Sequence, residues 1–218
     1  MKTAMILAAG RGERLRPITN YIPKAMCLVQ GKPLIEHHVE NLANAGFTKL
    51  VINHAYLGSK IRQHLGSGEK WGLTIHYLAE PPGGLETGGG LYNALPLFDG
   101  KPFLTINADI YTDYPLNQLI LEEEALVKLV LVNNPANYQG DFTLIDNRIS
   151  LSKKSHTYAG IAVYHPKVFD KQKIGRYSVT PLLKELINRK LVLGEIHEGK
   201  WIDIGSIRYL ELANEPSI

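Results

Sequence analysis

Only one cysteine, Cys27, occurs in the 218 residues. An internal disulfide is therefore excluded, and a reducing compartment is expected. The eight histidines are scattered without the spacing of a zinc site. No apolar run reaches the length that spans a membrane. The first residues lack the basic, apolar and small-residue succession of a secretory signal. A net charge of +3 is too weak to argue for nucleic acid as a partner. Repeats and low-complexity linkers are absent. These absences lead us to expect a cytoplasmic protein that engages neither membrane nor nucleic acid.

What is present is ordinary for a globular chain: 44% hydrophobic and 21% charged residues, enough for one domain, 1–218, with a sizeable core. Residues 4–8 read as a strand. Leu34, Ile35, His38, Val39 and Leu42 recur at helical spacing, with Gly46 as the stop. Residues 50–52 and 74–78 are strands, and between them 59–65 is a short helix with Ser59 as its N-cap. A helix runs from Gly88 to Leu95. Residues 103–106 form a buried strand ending on Asn107-Ala108-Asp109, and 127–132 another. After Pro135 the rhythm loosens. Residues 142–149 and 159–164 suggest antiparallel strands around a polar stretch. A helix over 181–188, strands over 191–196 and 201–204, and a last helix from Ser206 complete the pattern. Alternating strands and helices predict an α/β fold: a central mixed, mostly parallel sheet flanked by helices.

The most informative segment follows the first strand. Ala9, Gly10, Arg11, Gly12, Glu13, Arg14, Leu15, Arg16 and Pro17 lead to Thr19 and then Pro23-Lys24. Glycines let backbone N–H groups approach phosphate oxygens, and the cations offset their charge. A dinucleotide fingerprint needs a third glycine where Leu15 stands. A P-loop needs Gly-Lys followed by Ser or Thr. The remaining pattern, L-A-A-G-x-G-x-R-L-x-P-x-T-x-x-x-P-K from Leu7 to Lys24, resembles the signature of sugar-1-phosphate nucleotidyltransferases. The resemblance implies a Rossmann-like nucleotidyltransferase fold, with an N-terminal half for the nucleotide and a C-terminal half for the sugar phosphate.

In that reaction a sugar-1-phosphate oxygen attacks the α-phosphorus of a nucleoside triphosphate and pyrophosphate leaves. The nucleophile is already an anion, so alignment and charge neutralisation matter more than a base. Arg14 and Lys24 are the candidate catalytic cations, with Ala9, Gly10, Gly12 and Glu13 of the same loop at the nucleotide. Asp109, just past a strand end, and Asp203, between apolar neighbours in Trp201-Ile202-Asp203-Ile204-Gly205, are the candidate ligands for Mg²⁺. The resemblance offers the same two aspartates, with Ala108 where the family commonly has glycine. No Asp-x-Asp occurs at 107–109, which argues against a glycosyltransferase. Leu85-Glu86-Thr87-Gly88-Gly89-Gly90 resembles the family's L-E-T-G-G-[AG] segment. Glycines there would let a flat base lie against the backbone, with Glu80, Glu86 and Gly88 at the nucleotide. Asn107, Gly140 and Gly160 are expected at the sugar phosphate. Gly160 marks close approach by a ligand or by another strand.

Asn53-His54-Ala55-Tyr56-Leu57-Gly58, the L-E-T-G-G-G segment and the W-I-D-I-G ending look most like the family's branch acting on N-acetylmuramate-1-phosphate in bacterial cell-wall recycling. That resemblance implies UTP and a sugar-1-phosphate as partners, Mg²⁺ as cofactor, and a monomer or small homo-oligomer. Glucose-1-phosphate with dTTP, mannose-1-phosphate with GTP, or a non-catalytic nucleotide-sensing subunit are the alternatives.

Overall fold

In the computed structural model, which describes residues 2–136 and 138–215, runs of Val, Ile and Leu become buried strands and amphipathic runs become covering helices. The N-terminal elements are β1 (Thr3–Leu7), the two-residue strands β2 (Leu28–Val29) and β3 (Lys32–Pro33), α1 (Leu34–Asn44), β4 (Lys49–His54), α2 (Gly58–Leu65), β5 (Thr74–Ala79) and α3 (Glu86–Ala94). Then follow β6 (Phe103–Asn107), β7 (Ile110–Thr112), β8 (Val127–Asn133), β9 (Thr143–Ile145), β10 (Arg148–Ser150) and β11 (His156–Tyr164). The chain closes with α4 (Thr180–Asn188), β12 (Val192–Ile196), β13 (Trp201–Asp203) and α5 (Ile207–Asn214). Nine strands form one sheet in the order β5-β4-β1-β6-β11-β8-β12-β10-β9. The β1–β4, β4–β5 and β8–β12 pairs are parallel. The β8–β11, β10–β12 and β9–β10 pairs are antiparallel. This is the α/β architecture expected from the sequence.

The chain divides into two compact units. The first comprises Met1–Gly84, Ile106–Leu116 and Lys200–Ile218. In it β4 is buried along its whole length, as a strand with neighbours on both sides and both faces covered must be. Helix α1 ends as its sequence suggests: Gly46 takes φ +80°, its N–H donates to the Ala43 carbonyl, and the Phe47 N–H reaches back to Leu42. A buried cluster of Leu15, Cys27, Val29, Leu34, Ile204 and Ala213 fastens the segment after β1 to α1, β13 and α5. That packing gives an otherwise irregular loop a fixed base.

The second unit comprises Leu85–Thr105 and Asn117–Gly199. Its aromatic core includes Phe98 and Phe103, stacked at 3.7 Å between centroids, with Tyr164 and Phe169 beyond them. Strand β11 carries a bulge: its register against β8 shifts between Tyr158 and Ala162, and Gly160 within it has φ +77°. A bulge with a left-handed residue is a position for glycine. The local strand geometry therefore supplies a reason for Gly160.

Three local expectations are corrected. The helix starts at Gly58 with Leu57 before it and no side-chain cap, so Ser59 is not the N-cap. Gly58 lies against the His54 ring, where any Cβ would collide, and this contact sets the start of the helix. Residues 142–149 are not one strand. They fold into the β9–β10 hairpin, because Asp146 and Asn147 both take positive φ, 47° and 60°. Helix α3 begins at Glu86 rather than Gly88, with Glu86 itself at φ +58°.

Candidate active site

In the first unit, β1, β4, β5 and β6 deliver their C-terminal ends to functional segments. β1 runs into the glycine loop, β4 ends at Asn53-His54, β5 at Ala79 before Glu80, and β6 at Asn107 before Asp109. Ligands bind at this edge of open α/β sheets because loops there can diverge around them. The Ala108 N–H donates to the Leu7 carbonyl, 3.0 Å, and holds the Asn107–Asp109 segment beside the root of the glycine loop. Ala108 itself is buried.

Gly12 is required by two independent constraints. Its φ is +69°, and a Cβ there would come within 2.8 Å of the Lys24 Cβ and 3.0 Å of the Thr19 methyl. The Thr19 hydroxyl donates to the Gly12 carbonyl at 2.8 Å. The loop thus closes directly onto Lys24. At Gly10 a Cβ would meet nothing within 4 Å, and Ala9 beside it is half-buried.

Lys24 is not a solvated surface lysine. Its side chain is 12% exposed, and Nζ lies 2.6 Å from Asp109 Oδ2. Asp109 is tied in turn to the other aspartate: its carbonyl accepts the Ile204 N–H at 2.8 Å, and Ile110 pairs with Asp203 across β7 and β13. Three residues far apart in sequence therefore converge on one short antiparallel pair. Arg14 joins them. Its guanidinium lies against Gly205, where an added methyl would come within 3.2 Å of a terminal nitrogen. Glu13 is exposed and pairs with Arg11 and Arg16 at 3.5 and 3.3 Å, surface contacts worth well under about 1 kcal/mol.

Beneath the aspartates, His38 of α1 is buried and its ring bonds the Ile110 backbone. Burial lowers its pKa from 6.5 to about 4, helped by His37 and opposed by Asp109. The imidazole is therefore neutral at physiological pH and supports the Asp109–Ile110 turn without adding a competing cation. Glu80, also in the first unit, is 9% exposed and accepts the Asn53 side-chain N–H at 2.7 Å.

The second unit holds the remaining candidates. Glu86 forms an exposed ion pair with Arg176 at 3.2 Å. A Cβ at Gly88 would strike the Tyr177 ring at 2.5 Å, and one at Gly89 would overlap the Gly175 carbonyl oxygen. Close packing against the 175–177 segment thus gives both glycines a reason of their own, beside the expected one of letting a base lie against the backbone. Gly140, at φ +72°, has its Cβ position against the Lys154 carbonyl and the Asn134 amide. Close packing there, like the bulge at Gly160, accounts for the glycine.

Asn53, Tyr56 and Gly205 entered the sequence reading only as parts of resembling segments, with no role of their own. The Tyr56 ring lies 4.9 Å beneath the Arg11 guanidinium, and its hydroxyl donates to the Asn20 carbonyl. A further signal for Asn53 was the polar pair Asn53-His54 directly after an apolar strand.

Comparison with known proteins gives the family. A family model described as nucleotidyl transferase matches residues 3–145. The N-acetylmuramate alpha-1-phosphate uridylyltransferase of Neisseria meningitidis serogroup B is 42% identical over 221 residues, 96% of this chain and 96% of that protein. The protein of the same name from Caulobacter vibrioides is 31% identical over 222 residues, 94% of this chain and 92% of its own length. A solved structure from Bacillus anthracis, described as a glucose-1-phosphate thymidylyltransferase in complex with a sucrose, superposes with a TM-score of 0.86. It covers 98% of this chain and 94% of its own at 23% identity, a likeness of fold.

Proposed function

Because the chain belongs to the nucleotidyl transferase family, we propose that it transfers a uridylyl group from UTP to N-acetyl-α-muramate-1-phosphate, giving UDP-N-acetylmuramate and pyrophosphate. The observation that carries the reading is the Lys24–Asp109 contact at 2.6 Å, with Asp203 on the paired strand, at the foot of a glycine loop. The two uridylyltransferases named above, alike over nearly the whole chain, support the base and the sugar.

The sugar phosphate oxygen forms a bond to the α-phosphorus as the α–β bridging bond breaks, and the electron pair leaves with pyrophosphate. Lys24 is held extended by Asp109, so its ammonium is in place before substrate arrives and can meet charge building on the α-phosphate. Arg14, set by Gly205, suits the outer phosphates, where a planar fork of donors binds two oxygens at once. The backbone from Ala9 to Gly12 offers N–H groups to the triphosphate. Asn107, at the end of β6, is our candidate for the sugar.

Asp109 and Asp203 are hard oxygen donors and fit Mg²⁺. Mg²⁺ is commonly held by one or two carboxylates and completed by substrate phosphates rather than by a protein cage. These two aspartates, brought to one antiparallel pair of strands, would be enough to hold it that way. When bound, the ion would screen the crowded phosphate charge and polarise the α-phosphoryl oxygens. Asp109→Asn and Asp203→Asn keep the size of the side chain and weaken the donor. Each is expected to lower uridylyl transfer by at least about 10²-fold while leaving the thermal midpoint near wild type. Pyrophosphate release at saturating Mg²⁺ is the readout, and activity within threefold of wild type for either variant would remove the metal role from it.

A further inference from the structure

Asn53 sits at the end of β4 opposite Leu7 of β1 and Leu78 of β5. Its side chain is buried, 3% exposed, and makes two hydrogen bonds with unlike partners. The Ala8 backbone N–H donates to Asn53 Oδ1 at 3.0 Å. Asn53 Nδ2 donates to Glu80 Oε1 at 2.7 Å. A backbone N–H can only donate, so the first bond fixes which end of the amide is oxygen. The second bond then has a forced direction: Asn53 presents a donor to residue 80. Glu80 is pinned at its backbone as well, its N–H bonded to the His54 carbonyl at 2.8 Å. Its other carboxylate oxygen lies toward Gly84. The first residue after β1 and the carboxylate at the end of β5 are therefore locked in one buried relay.

We propose that Asn53 is a positioning residue that fixes the hydrogen-bonding sense of residue 80, and through it the preference for a nucleobase carrying an N–H donor at ring position 3. This rests on the uridylyl-transfer reading, with Glu80 at the nucleotide as the family resemblance implies. With Asn53 donating to Oε1, Glu80 offers the base an acceptor. Uracil has an N–H at position 3 and satisfies it. Cytosine has a lone pair there and is repelled. A site that leaves a buried polar group facing a like group discriminates strongly, because neither can be solvated.

The forced direction gives a test that packing alone does not mimic. In Glu80→Gln, Asn53 still donates to the residue-80 oxygen, so the new NH₂ turns to the base and suits cytosine. In the double variant Asn53→Asp with Glu80→Gln, the carboxylate introduced at position 53 still accepts the Ala8 N–H. It now also accepts from the NH₂ introduced at position 80. The amide oxygen at position 80 then faces the base again. UTP and CTP are titrated calorimetrically into each protein without sugar phosphate. Wild type is expected to bind UTP at least about tenfold tighter than CTP. Glu80→Gln is expected to lower that ratio by at least about tenfold, and the double variant to return it to within about threefold of wild type.

Equal ratios in Glu80→Gln and the double variant would overturn the proposal, as would no UTP preference in wild type. If the double variant does not melt cooperatively, Asn53→Ala in the Glu80→Gln background replaces it. Freed of the Asn53 donor, the amide at position 80 can turn either edge to the base, so the UTP to CTP ratio should rise at least about threefold above that of Glu80→Gln alone, and a ratio equal to that of Glu80→Gln would overturn the proposal. Pyrophosphate release is measured in parallel. Wild type that binds with the expected ratios but releases none sinks uridylyl transfer alone. Release with ratios that ignore these substitutions sinks only the role of Asn53.

Discussion

At the scale of single residues, Lys24 and Arg14 carry like charges in unlike settings, and their kinetics should separate. Lys24 is largely buried and paired at 2.6 Å, so its charge is the less screened, and in the proposed reaction it meets the α-phosphate. Lys24→Ala is expected to lower kcat by about 10²–10³, with a smaller change in the KM for UTP. Arg14 is exposed, and its removal should raise the KM for UTP more than it lowers kcat. Steady-state rates over a range of UTP concentrations check both, and the reverse pattern would reassign the two roles.

His38 gives a pH dependence of known sign. Its pKa is lowered from 6.5 to about 4 by burial, so between those values the unfolded chain binds a proton that the folded chain refuses. Stability is full above about pH 6.5 and declines as pH falls towards 4, by up to about 3 kcal/mol from this residue. Urea midpoints measured at pH 7 and pH 5 should show the loss, and His38→Gln should flatten the slope. Residues such as Lys24, Asp109 and Asp203 were legible in the sequence because each lies in a short motif whose spacing is local. Asn53 was not, since its partners Ala8 and Glu80 are 45 and 27 residues away. Gly205 entered the sequence reading only as part of the W-I-D-I-G segment, and the Arg14 guanidinium lying against it gives a reason for it.

At the scale of elements, the strands and the α1 stop were legible because parallel strands buried on both faces are continuous apolar runs, and a left-handed C′ position selects glycine. The β9–β10 hairpin was hidden because Asp146-Asn147 lacks the glycine that usually marks such a turn. Helix α3 shows a motif with a packing reason that its sequence does not display. Gly88 and Gly89 receive Tyr177 and the Gly175 carbonyl. The Gly89 N–H also donates to the Tyr177 carbonyl at 3.1 Å. Gly89→Ala therefore places a methyl on backbone that cannot swing aside. It is expected to cost about 2–3 kcal/mol and to lower the thermal midpoint by roughly 4–10 °C. Calorimetry checks this, and a midpoint within about 1 °C of wild type would show that the 175–177 segment yields easily.

At the scale of the whole molecule, the α/β architecture and the family were legible from strand–helix alternation and from the Leu7–Lys24 pattern. The base and sugar were legible only through the resemblance carried by the 53–58, 85–90 and 201–205 segments, because no single residue type in them states either one. Exposed groups such as Lys153, Lys154 and Arg176 carry the charge needed for the lactyl carboxylate of N-acetylmuramate, but spacing alone does not rank them. Arg176 already pairs with Glu86 at 3.2 Å. The most direct test of the account compares pyrophosphate release from UTP with N-acetylmuramate-1-phosphate and with N-acetylglucosamine-1-phosphate, which lacks only the lactyl group. The account expects kcat/KM at least about tenfold higher for the muramate substrate, the effect of one charge-assisted contact. Equal values, or release only with another triphosphate, would contradict it.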